Sequence, residues 1–210
     1  MTEINRRQAV ELLAVAPLAA AFRWAPESVR QAVALAREAH QAAASGQAYE
    51  PKFFTAHEWD TVKILVDLIL PPDERSGGAV DAGVPEFMDF MCGDDAGLQT
   101  PVRGGLAWLD HECEARFAKR FVECADAERT AVLDDIAWPK KAKPEHSQGV
   151  AFFNSFRDFT ASGFFSSKLG VQDLGYIGNT FVATWNGCPP EALAKLGVSY
   201  DLMNPSPHHD

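Results

Sequence analysis

Phe53-Phe54-Thr55-Ala56-His57-Glu58-Trp59 opens the stretch that decides the fold, and Leu70-Pro71-Pro72 closes it. Thr55 and Glu58 have the spacing of a capping box, in which each side chain satisfies the other residue's free backbone N–H. Phe54 precedes the cap and can staple against Trp59. Val62, Ile64, Leu65, Val66, Leu68, Ile69 and Leu70 make the segment apolar almost all round, the pattern of a helix central to a core. Pro71-Pro72 stops it.

Working outward, helical patterns recur and sustained strand alternation does not. Residues 27–45 carry Val29, Ala32, Val33, Ala36, His40 and Ala43 on one alanine-rich stripe, ended by Ser45-Gly46. Val84-Pro85-Glu86 starts another helix, with proline in its first turn and Phe87, Phe90 and Met91 as its apolar face. Thr100-Pro101 begins a long helix to about Phe121, lined by Leu106, Leu109, Cys113 and Phe117. Asp126 caps a helix through about Ala137, which Trp138-Pro139 ends. Phe152, Phe156 and Phe159 then share a helical face that reads first as core and second as a partner surface. The expected fold is all-α, an irregular bundle of about six main helices.

From Ser162 the character changes. Gly163, Gly170, Gly175, Gly178 and Gly187 punctuate a segment with Phe164, Phe165, Tyr176, Phe181 and Trp185 scattered through it, and Pro189-Pro190 leads a short amphipathic turn to Leu196. Such a segment has little means of burying its own rings and needs a surface to lie on. Phe164, Phe165, Tyr176, Phe181 and Trp185 are therefore the expected partner interface, with the Phe152–Phe159 face second; the alternative is a tail that folds back over the chain's own helical core. Residues 201–210 read as a flexible tail.

The N-terminus carries Asn5-Arg6-Arg7-Gln8, followed by a weakly apolar run to Phe22 that Glu11 interrupts. The run falls far short of the ~20 apolar residues a membrane span needs. Arg6 and Arg7 ahead of it, with Ala19-Ala20-Ala21 as a small-residue cleavage site, form a twin-arginine export pattern over residues 1–22. An ordinary amphipathic helix is the bland alternative. Residues 23–200 are then expected to form a single helical domain of ordinary size.

A net charge of −10 argues against nucleic acid and against an anionic membrane surface. Cys92, Cys113, Cys124 and Cys188 form no C-x-x-C pair. Disulfides, buried thiols and a bond to another chain all stay open. The loop Pro72–Gly83 contains Gly77-Gly78 without the G-x-G-x-x-G spacing of a dinucleotide loop. His111-Glu112 resembles the start of H-E-x-x-H, but Ala115 stands where the second histidine belongs. No catalytic, cofactor or metal residue is expected in this chain.

The ordered set is similar to a known family. After the arginine pair come Phe53-Phe54-Thr55-x-x-Glu58, Ile69-Leu70-Pro71, Gly77-Gly78-Ala79 and Ala82-Gly83-Val84-Pro85-Glu86-Phe87. Gly163-Phe164-Phe165, Leu174-Gly175-Tyr176 and Trp185-Asn186-Gly187 complete it. The chain resembles the gluconate 2-dehydrogenase subunit 3 family. That resemblance implies a small, non-catalytic helical subunit of a membrane-associated sugar dehydrogenase, nearest to those accompanying glucoside 3-dehydrogenases. It further implies a separate FAD-containing catalytic partner of the glucose–methanol–choline (GMC) oxidoreductase type, with a c-type cytochrome as a common electron acceptor. The small subunit would help that flavoprotein fold and carry it through the twin-arginine route to the periplasm. The competing reading is an independent periplasmic adaptor or chaperone without a dedicated dehydrogenase.

Overall fold

The computed structural model describes residues 24–44, 46, 48–176 and 187–200. Arg6 and Arg7, the rest of the N-terminal run, Phe181, Trp185 and residues 201–210 lie outside them. The chain divides into a first unit ending at Gly178 and a second beginning at Asn179. Every regular element among the described residues is helical, as the capped, proline-delimited patterns require.

In the first unit the helices are α1 (Pro26–Ala44), α2 (Ala56–Ile69), α3 (Val84–Asp94), α4 (Ala96–Phe117), α5 (Asp126–Ala137), α6 (Ser147–Ser166) and the short α7 (Lys168–Asp173). Helix α1 buries Val29, Ala32 and Ala36, and packs chiefly on α3. Small side chains on that stripe permit the close approach. Trp24, just ahead of α1, tucks its ring against Phe87 of α3 and Phe159 of α6, with centroids at 6.0 and 5.1 Å.

The capping box of α2 forms as its sequence dictates. Glu58 N–H donates to Thr55 Oγ1 at 3.3 Å, and Thr55 N–H donates to the Glu58 carboxylate at 2.8 Å. Phe54 and Trp59 meet with centroids 6.4 Å apart. Yet α2 is not the centre of the bundle. Only Thr61, Val62, Leu65 and Val66 are buried, while Ile64, Leu68 and Ile69 stay half-buried. The hub is the phenylalanine helix α6, which touches α2, α3, α4, α5 and α7. Its buried Phe152, Phe153, Phe156, Phe159 and Phe164 supply much of the core.

Three boundaries differ from the sequence reading. Helix α4 begins at Ala96, because Asp95 accepts from Gly97 N–H at 2.8 Å and caps it earlier than Thr100-Pro101. Pro101 lies inside the helix instead of at its start. The same helix ends at Phe117, since Ala118 adopts a left-handed φ of 55°. Phe121 sits beyond it in a 3₁₀ turn, fixed by its N–H donating to Asp110 at 3.0 Å. Finally, α6 runs through Gly163 to Ser166. Gly163 is no breaker: a Cβ there would meet the Phe87 ring at 2.9 Å, so glycine serves close packing.

The loop between α2 and α3 is tightly knit. Asp67 accepts from Val80 N–H, Asp81 from Gly78 N–H, and Asp73 from both Arg75 and Ser76 N–H. Those amides already hold carboxylates, which explains a glycine-rich loop with no phosphate-binding spacing. The Ser76 and Arg75 N–H groups hold the Asp73 carboxyl below its usual range.

Candidate partner-binding surface

The expected interface residues divide sharply. Phe164 is only 4% exposed and belongs to the core. It stands eight residues after Phe156, so the buried helical stripe of α6 simply continues to it. Phe165 is half-buried, its ring at right angles to that of Phe164 with centroids 5.1 Å apart. Tyr176 is 50% exposed, and Leu174 beside it is 62% exposed. The structure therefore brings Phe165 against the core and leaves Leu174 and Tyr176 as an apolar tip.

That tip is held by local chemistry. Ser167 Oγ donates to Phe164 C=O at 2.7 Å and accepts from Gly170 N–H at 3.0 Å, turning the chain directly from α6 into α7. A Cβ at Gly170 would lie 2.1 Å from the Phe164 oxygen, so only glycine allows the turn. Gly175, at φ 62°, then ends α7, and Tyr176 N–H closes back on Val171 C=O at 3.2 Å. From the α2–α3 loop, Arg75 donates to Asp173 C=O at 2.6 Å and pairs with its carboxylate at 3.0 Å.

Described by itself, the second unit shows α8 (Pro190–Leu196) with no buried residue. Leu196, Val198 and Tyr200 are all exposed. Cys188 N–H donates to the Tyr200 hydroxyl at 2.5 Å.

The Phe152–Phe159 face points into the core, with Phe152, Phe156 and Phe159 all buried. Above it runs a groove of about 500 Å³ between α4 and α6. Leu98, Pro101, Val102, Trp108 and Ala151 line it, and no charged side chain does so among the described residues.

His111 and Glu112 do not converge on a metal-like cluster. Glu112 instead pairs with Arg116 of the same helix, whose guanidinium also reaches Asp135 of α5 at 2.7 Å. Among the described residues, no group of three or more His, Cys, Asp or Glu is placed to hold a metal. No helix among them is long and apolar enough to cross a membrane. Cys92, Cys113 and Cys124 are buried free thiols, and Cys188 is an exposed one.

One anchoring residue escaped the sequence reading. Asp89 of α3 is 1% exposed and accepts from Lys52, Phe53 and Phe54 N–H at 2.8–3.0 Å and from Tyr49 Oη at 2.9 Å. It clamps the approach to α2 onto α3. A lone carboxylate within the apolar run Phe87-Met88-Asp89-Phe90-Met91 was the available signal.

A family model described as gluconate 2-dehydrogenase subunit 3 matches residues 56–187. The chain belongs to the gluconate 2-dehydrogenase subunit 3 family. It is thus a small subunit of a sugar dehydrogenase complex, and the match runs from the first turn of α2 past the Leu174–Tyr176 tip. No curated protein and no solved structure matches the chain.

Proposed function

We propose that this gluconate 2-dehydrogenase subunit 3 protein is the non-catalytic partner of a separate FAD-containing GMC-type sugar oxidoreductase, of the glucoside 3-dehydrogenase kind. It assists that flavoprotein's folding and takes it through the twin-arginine route to the periplasm by Arg6 and Arg7. A c-type cytochrome would accept the electrons. The observation that carries the docking mode is the exposed Leu174–Tyr176 tip at the start of the C-terminal segment. Aromatic and large apolar side chains presented this way act as binding anchors. The interface then comprises Phe165, Leu174, Tyr176, Phe181 and Trp185, with Phe164 supporting from within.

Co-expression with an FAD-containing GMC-type sugar oxidoreductase from the same source tests the reading. Leu174→Ser with Tyr176→Ser should weaken co-purification at least about tenfold, equivalent to about 1.4 kcal/mol, without shifting the subunit's own melting temperature. Arg6→Lys with Arg7→Lys should leave flavoprotein activity in the cytoplasm. Undiminished co-purification defeats the docking mode, and undiminished export defeats the carrier role.

A further inference from the structure

The groove between α4 and α6 has a candidate occupant within the same chain. It is uncharged, although the chain as a whole carries −10. An uncharged apolar groove selects an apolar segment. Phe159 lines one end of it, and Gln148 and Trp108 line the other. Trp24 rests its ring 5.1 Å from that of Phe159, so the chain that precedes Trp24 is tethered to a groove-lining residue. That preceding chain is the apolar run Ala9–Phe22, with Leu12, Leu13, Val15, Leu18 and Phe22.

The lengths agree. Gln148 and Phe159 are eleven residues apart on α6, or about 17 Å at 1.5 Å per residue. Fourteen residues, Ala9–Phe22, reach about 21 Å at the helical rise per residue, enough to cover that length. The groove floor also has room for a leucine-sized side chain at Gly104, where nothing lies within 4 Å of a Cβ position.

We propose that the groove is the docking site of this chain's own residues 9–22, which lie along α6 from Phe159 toward Gln148. The apolar run is thereby covered in the free subunit, and the arginine pair ahead of it is held at the Gln148 end. This does not depend on which flavoprotein the subunit serves.

Site-specific photo-crosslinking in the full chain tests it. A benzophenone amino acid replaces Ala151 in one variant and Ser155 in a second; both positions are exposed and line the groove. Irradiation of the purified free subunit followed by peptide mass spectrometry should place crosslinks within residues 9–22 of the same chain. Leu12→Asp with Leu13→Asp should abolish them. Crosslinks that join only two copies, that appear only with the co-expressed flavoprotein, or that never reach residues 9–22 from either position overturn the proposal.

Discussion

Gly105 of α4 lies directly beneath the ring of Phe152 of α6, so closely that a Cβ at Gly105 would fall 1.8 Å from Phe152 Cδ2. Its neighbour Gly104 has nothing within 4 Å of the same position. Two adjacent glycines in one helix therefore predict opposite outcomes. Gly105→Ala should destabilise by about 1–3 kcal/mol through overpacking. Gly104→Ala should stabilise by about 0.5–1 kcal/mol through helix propensity alone. Urea denaturation of both variants checks the pair, and a matching sign would contradict the packing described.

Asp89 concentrates several donors on one buried carboxylate. Asp89→Ala strands three backbone N–H groups and the Tyr49 hydroxyl, and should cost about 3 kcal/mol or more at 1–3 kcal/mol per unsatisfied group. Tyr49→Phe removes a single bond and should cost about 1.5–3 kcal/mol, the range for a charged acceptor. Equal losses from the two variants would show that the backbone donors find other acceptors.

Alkaline pH should weaken the fold. Burial pushes the Cys92 thiol up to about 12 from an ordinary 9.0, with Asp89 and Asp95 adding to it. Cys113 is likewise pushed up to about 12, first by burial and then by the neighbouring Cys124. Burial and the bond to Asp89 raise Tyr49 as well. The folded chain then holds more protons than the unfolded one, so this stability is intact below pH 9 and lost as pH climbs toward about 12. Cys92 alone contributes up to about 1.4 kcal/mol per pH unit in that window. Denaturation midpoints at about pH 8, about pH 10 and about pH 11 should fall in order. At about pH 8, iodoacetamide should reach exposed Cys188 well before the three buried thiols.

Ala118 ends α4 in a left-handed conformation at φ 55°, where its Cβ is unwelcome. Such a conformation costs a non-glycine residue roughly 1–2 kcal/mol. Ala118→Gly should recover about 0.5–1 kcal/mol after the unfolded chain's greater freedom is subtracted. Thermal unfolding should shift upward by about 1–4 °C.

What the sequence made legible was local. Thr55, Glu58, Phe54 and Trp59 interact within a turn or so, and the α2 cap follows from spacing alone. Pro101 misled because proline usually starts a helix, whereas the Asp95 carboxylate captured Gly97 N–H first. Gly163 misled because its reason lies on another helix, in the Phe87 ring. Asp89 stands out as a carboxylate in an apolar run, but its partners do not, because they are 35 to 40 residues away. At the candidate interface, the glycine-rich segment around Tyr176 pointed to an exposed ring there. The burial of Phe164 is hidden in the sequence, because Gly163 reads as a helix end and conceals that the buried stripe of α6 continues past it.

The pairing of Arg75 with Asp173 joins residues that lie 98 apart in the chain. It makes the α2–α3 loop a mooring for the base of the C-terminal segment. A protein that holds Leu174 and Tyr176 in place also restrains Asp173, and through the Arg75 side chain it steadies the Asp73 turn that the Arg75 and Ser76 amides close. Capture of the tip by another protein is therefore readable at a distance. The Arg75 and Ser76 amide hydrogens should exchange more slowly once a partner is bound, although that partner touches neither residue.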